Sequence, residues 1–122
     1  MLTVKKIVWP TNYNNKLFCD AFLHVDLAPA QKPTYRILDN TIIEIETADA
    51  SHEPVKVKVY DMLFIHPDRL PDSFALASHG ITAKELQESL FKTYGDLVVK
   101  QRGLGVYFYK RISFIQSNTL IN

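Results

Sequence analysis

Two cations, a hydroxyl and a proline share one short run of this chain, "QKPTYR" (Gln31 to Arg36). Pro33 biases Lys32 toward extended backbone. In an extended chain Lys32, Thr34 and Arg36 project from one face and Tyr35 from the other. An ammonium, a hydroxyl and a guanidinium in a row suit phosphate or carbonyl oxygens, the guanidinium through two parallel N–H donors. The plainer reading is a solvated strand face with Tyr35 packed inward, and the residues alone leave both open. His79, in "ASHGIT", is the fourth residue with chemistry to offer, since an imidazole can act as acid or base near neutral pH. Its structural alternative is a loop ring hydrogen-bonded to a backbone carbonyl.

Other arrangements are excluded by spacing. His24, His52, His66 and His79 include no H-x-x-x-H pair, and the lone Cys19 allows no C-x-x-C, so neither a metal site nor a cofactor is expected. The G-x-G of "GLG" precedes a strand instead of a helix, the wrong context for a phosphate loop. No G-x-S-x-G nucleophile turn is present. Lys100, Arg102, Lys110 and Arg111 surround Tyr107 and Tyr109. Such a basic, aromatic patch can stack bases, or it is a solvated sheet end whose rings belong to the core.

The elements that must position these groups fit one domain, residues 1–122. A net charge of +1 gives no bulk field for nucleic acid, so any such binding needs a local patch. A single cysteine and the lack of a signal-peptide pattern in "MLTVKKIVWPT" lead to a cytoplasmic expectation, and no apolar run is long enough for a membrane span. Cys19 is expected as a small core residue. "LTVKKIVW" reads as a strand stopped by Pro10, whereas Lys16 to Leu27 suits a helix face in one part and a strand in another. "NTIIEIET" and "VKVKVYDMLFI" alternate as half-buried strands, and pairing them through "ADASHEP" predicts Glu46 opposite Lys56 and Glu44 opposite Lys58. "PDSFALASHG" predicts a short helix capped by Asp72 or Ser73 and ended by Gly80. In the next helix Thr82 and Glu85 form a capping box, Leu86, Leu90 and Tyr94 share a face, and Gly95 stops it. "KQRGLG" reads as a loop before a closing aromatic strand, Gly105 to Ile115. Strands, a helical pair and a last strand give an α+β class.

From Ala28 to Ile115 the chain resembles an ASCH domain, of the PUA-like β-barrel group. The likeness rests on "QKPTYR", on "LPDSFALASHGITAKELQESLFKTYG" and on "VYFYKRI". It implies a curled barrel of about six strands with a short helical pair near the C-terminal third and a cleft beside it. It also implies binding of RNA, a nucleotide or a modified nucleoside, with Lys32, Thr34, Arg36 and His79 as ligand-binding residues. One branch of the family hydrolyses N4-acetylcytidine through a Gly-x-Lys-Thr-x-Thr-x-Arg motif and a glutamate. By that likeness Lys32, Thr34 and His79 would be the catalytic residues of an amidohydrolase. Here one residue fewer separates Lys32 from Thr34, Ala30 replaces the glycine, and His79 stands at the glutamate position. A protein-interaction domain with a vestigial cleft is the third reading.

Overall fold

The computed structural model describes residues 3–33 and 40–112 and has an α+β architecture. Strands β1 (Thr3–Trp9), β2 (Ala21–Leu27), β3 (Thr41–Thr47), β4 (Val55–Ile65) and β5 (Leu104–Arg111) form one sheet in the order β1-β3-β4-β5-β2. β1 runs parallel to β3, and the other neighbours are antiparallel. Between β4 and β5 come helices α1 (Asp72–His79), α2 (Ala83–Tyr94) and α3 (Asp96–Arg102), and 3-10 turns occupy Tyr13–Phe18 and Pro67–Arg69. Among the described residues no helix is long and apolar enough to cross a membrane.

Alternation along the strands feeds two cores, one on each face of the sheet. Trp9, Leu17, Ile45, Val57 and Tyr109 fill the first. Val25, Leu104 and Val106 meet Leu86, Leu90 and Val99 of the helices in the second. A bulge between Val59 and Asp61 keeps the long β4 in register with both. Val55, Val57 and Val59 point into the first core, and after the extra residue Met62 does so too, leaving Tyr60 exposed.

β1 and β2 are the sheet's edges, and among the described residues no backbone ladder joins them. Side chains bridge them instead: the Trp9 ring stacks on the His24 ring at 4.1 Å and 18°. An edge strand leaves outward N–H groups in need of cover. On β2 the Val25 N–H donates to Ser78 Oγ at the end of α1, 2.8 Å away.

Local signals hold well. Thr82 Oγ1 accepts from Glu85 N–H while the Glu85 carboxylate accepts from Thr82 N–H, completing the capping box. Replacing Thr82 with alanine is expected to cost about 1 kcal/mol, read as a Tm lower by roughly 4 °C or more; an unchanged melt would refute it. Gly80 takes the left-handed conformation that ends α1, φ 73°.

The α+β class holds, and the described residues form a five-stranded sheet whose edges are not closed by hydrogen bonds, where a curled barrel of about six strands was expected. Four expectations need correction. The β3–β4 register sets Glu44 opposite Lys56, because the ladder starts at Ile45–Val55. Glu46 lies beyond it and pairs with Lys6 of β1 at 3.1 Å. Pro71 holds the cap position of α1, while Asp72 Oδ1 accepts from Ala83 N–H and ties α1 to α2. Cys19 is exposed, in the bend between a 3-10 turn and β2. "KQR" ends α3 instead of forming a loop, and its Arg102 Nε donates to Ala28 O at 2.8 Å. Closing strand β5 ends at Arg111, and residues from 113 on lie outside the described part.

Candidate functional site: the seam between the sheet edges

Where β1 and β2 approach, a polar cluster stands in for a backbone ladder. The turn that carries it, "YNNKLF", has Asn14 and Asn15 at φ 57° and 54°, a conformation asparagine tolerates better than most residues. Asn14 Nδ2 donates to Leu76 O at the end of α1. The reversal turns Lys16 and Leu17 inward, and both are buried. The Lys16 Nζ lies 2.7 Å from His24 Nδ1, 2.7 Å from Ser78 O and 3.3 Å from Ser78 Oγ. It also sits 4.8 Å from the centroid of the Trp9 ring, an arrangement that favours a cation.

Burial dominates the electrostatics here. It lowers the Lys16 ammonium to about 7 against the opposing pull of Asp26. Burial, then the Lys16 and His79 charges, hold His24 well below its ordinary range. His79, again through burial and then Lys16, is lowered to about 4. Asp26 is raised by burial, against hydrogen bonds from Leu27 N–H and Tyr94 O–H and the charge of Lys16. An uncharged imidazole pair and a lysine near its midpoint at neutral pH therefore share one seam.

Two clefts open along it, of about 480 and 370 Å³, and Val8, Trp9, His24 and Asp26 line both. Asp26 Oδ1 is occupied by Leu27 N–H at 2.7 Å and Tyr94 O–H at 3.1 Å. Its Oδ2 has no hydrogen-bond partner among the described residues. In the larger cleft Tyr107 supplies a half-buried ring, with Arg102 and Lys5 also lining it. The glycine before it in the strand face makes that ring position available. A Cβ on Gly105 would lie 2.8 Å from Tyr107 Cε2, too close for both to stay. Among the described residues no group of three or more His, Cys, Asp or Glu side chains is placed to hold a metal.

Of the expected residues, the two that are described, Lys32 and His79, share neither cleft. Lys32 is exposed, with its ammonium 5.1 Å from the Phe64 ring centroid, and it lines neither cleft, although its neighbours Gln31 and Pro33 line the larger. Thr34 and Arg36 lie outside the described residues. His79 ends α1 and lines the smaller cleft, its ring 4.4 Å from Tyr13, with Nδ1 bonded to the Ser78 hydroxyl and not to a backbone carbonyl. Trp9, Lys16, His24 and Asp26 are absent from the set that the sequence brings forward. Alternation in "FLHVDL" holds the available signal: it puts His24 and Asp26 on the face of Phe22, two polar groups on a strand face that is otherwise core.

Neither a protein-family profile nor a curated protein sequence matches this chain. Among solved structures, the crystal structure of hypothetical protein PH0355 matches with a TM-score of 0.63, over 90% of this chain and 100% of that one, at 14% identity. Similarity at that identity speaks for a shared fold and for nothing finer.

Proposed function

We propose that this chain is a PUA-like domain of the ASCH type, curled toward a barrel, which binds a nucleoside unit, free or within an RNA strand, in the larger cleft. The observation that carries the reading is the Asp26 carboxyl group. It is half-buried, lines the larger cleft together with Tyr107, and among the described residues has hydrogen-bond partners only on Oδ1. A base can lie against the tyrosine, and its amino or imide N–H, or a ribose hydroxyl, can donate to Asp26. Lys5 and Arg102 supply positive charge at the same cleft for phosphate. In this reading Lys32, outside the cleft lining, meets phosphate at the rim beside Gln31 and Pro33, and the ligand-binding roles of Thr34 and Arg36 rest on the ASCH resemblance alone. Binding without turnover is favoured over amide hydrolysis, because Lys32 and His79 line no common cleft of the two.

Trp9 is the chain's one tryptophan and lines both clefts, so its fluorescence reports occupancy. Titration with cytidine, cytidine monophosphate, N4-acetylcytidine and a short single-stranded RNA is expected to give a saturable change with at least one. Asp26→Asn is expected to weaken that binding about tenfold or more, the size of a hydrogen bond to a charged group. If none of the four saturates, or if Asp26→Asn binds equally well, the reading is wrong. Release of cytidine from N4-acetylcytidine, absent in Thr34→Ala, would establish the hydrolase instead.

A further inference from the structure

The smaller cleft carries chemistry that the nucleoside reading leaves unused. His79 lines it and not the larger cleft. The hydrogen bonds behind the two imidazoles determine which ring nitrogen of each bears the proton. Ser78 Oγ accepts from Val25 N–H at 2.8 Å and from the Lys16 ammonium at 3.3 Å. With two donors on its oxygen, the hydroxyl gives its own hydrogen to His79 Nδ1, 2.7 Å away. An ammonium has three N–H donors, and around Lys16 stand Ser78 O, Ser78 Oγ and His24 Nδ1 as acceptors. While Lys16 is an ammonium, as it mostly is below pH 7, both Nδ1 atoms therefore accept, and both rings carry their proton on Nε2.

Among the described residues neither Nε2 has a hydrogen-bond partner. The rings lie 5.1 Å apart by centroid, and both line the smaller cleft. His24 is 4% exposed and lines both clefts. Asp26 lines the same cleft, and among the described residues its Oδ2 has no hydrogen-bond partner. Two imidazoles and one carboxyl group lining a single cleft make a pattern that a ligand can answer with an acceptor beside a donor.

We infer that the smaller cleft binds a neutral carboxamide-type group, with its carbonyl oxygen on the Nε2–H of His24 and His79, its N–H on Asp26 Oδ2, and its plane against Tyr13. An anion is selected against. The imidazoles are uncharged near neutral pH, Asp26 repels negative charge, and Lys16 is already engaged by three acceptors behind the rings. The inference shares Asp26 with the nucleoside reading, but it requires neither a base nor a phosphate and turns on His79, which lines only the smaller cleft.

Benzamide and benzoate, alike in shape and unlike in charge, separate the possibilities. Near pH 6.5 the full chain is titrated with each, following Trp9 fluorescence, and long-range ¹H–¹⁵N correlations of the histidine rings are recorded. Benzamide is expected to saturate and benzoate to bind at least about tenfold more weakly, one unmade polar contact being of that order. His79→Phe is expected to lose benzamide by a similar factor while any nucleoside binding persists. Both rings are expected to show a bare Nδ1. Absence of benzamide binding, equal or tighter benzoate, an unaffected His79→Phe, or a proton on either Nδ1 would each overturn the inference.

Discussion

Stability is expected to climb with pH from about 4 to about 9 and to fall above 10, with Lys16 responsible for the climb above pH 7 and the lowered His24 and His79 for the climb below it. Lys16 is protonated up to about 7 in the folded chain and to its ordinary 10.5 when unfolded. Between those values the unfolded state binds more protons, so raising the pH favours the folded state. Each tenfold change in proton affinity corresponds to about 1.4 kcal/mol, which puts the whole Lys16 window on the order of 4–5 kcal/mol, with about 2 kcal/mol between pH 7 and pH 9. His79 acts with the same sign between about 4 and its ordinary 6.5, but it is only half-buried and solvent screening reduces its share. Asp26, raised from 3.8, opposes it at the acid end. Above pH 10 the buried Tyr109, held well above its ordinary value, makes the unfolded chain the first to ionise, and stability turns down. Urea midpoints measured at pH 6, 7, 8 and 9 check this directly. Lys16→Met should flatten the rise between pH 7 and 9; a flat wild-type profile there would remove Lys16 from the account.

That prediction depends on a residue that looks ordinary in the sequence. Long lysines are seldom fully buried, and nothing in "NNKLF" announces that this one turns inward. The cause is a pair of left-handed asparagines followed by partners on β2 and α1. Features fixed within a few residues were legible. The Thr82 and Glu85 cap, the stop at Gly80, the alternation of Ile43 and Ile45 and of Val55, Val57 and Val59 all depend on local spacing, and the structure has each. Features fixed by distant pairing were not. The displaced Glu44–Lys56 register follows from where the β3–β4 ladder begins, and Glu46 is drawn off by Lys6 on a strand nearly forty residues earlier. The segment from 16 to 27 was ambiguous because it holds two elements, the end of a 3-10 turn and the whole of β2, so no single period fits it.

The same contrast explains why the candidate site escapes a chemical reading of the chain. A run such as "QKPTYR" draws attention because its polar groups are adjacent. In the seam, Trp9, Lys16, His24 and Ser78 come from β1, a turn, β2 and α1, and each alone is commonplace. Their meaning arises from the open sheet. An edge strand that would otherwise expose backbone donors is covered by a hydroxyl, and that hydroxyl passes its own proton to a cleft-lining imidazole. Closing the fold and presenting the cleft's donors are thus one hydrogen-bond network.

Ser78→Ala should therefore disturb both together. Removing Oγ strips the acceptor from Val25 N–H on β2 and one of three from Lys16, and Ser78 is fully buried. A buried donor left without a partner costs about 1–3 kcal/mol, so the combined loss is expected near 3 kcal/mol, well above the roughly 1 kcal/mol of the Thr82 cap. Urea unfolding of the two variants side by side gives the ratio. The second effect is on the cleft. Without the hydroxyl, nothing commits His79 Nδ1 to accepting, so its proton can move to that nitrogen and the Nε2–H donor is lost from part of the population. Benzamide affinity should then fall in folded Ser78→Ala, measured below its unfolding transition, while His24, still bonded to Lys16, keeps its bare Nδ1. A variant that loses less than about 1 kcal/mol, the net worth of one ordinary hydrogen bond, would show that the Ser78 hydroxyl does not hold the seam. A variant equally destabilised but with His79 unchanged in its ring spectrum would show that the hydroxyl closes the sheet edge without setting the imidazole.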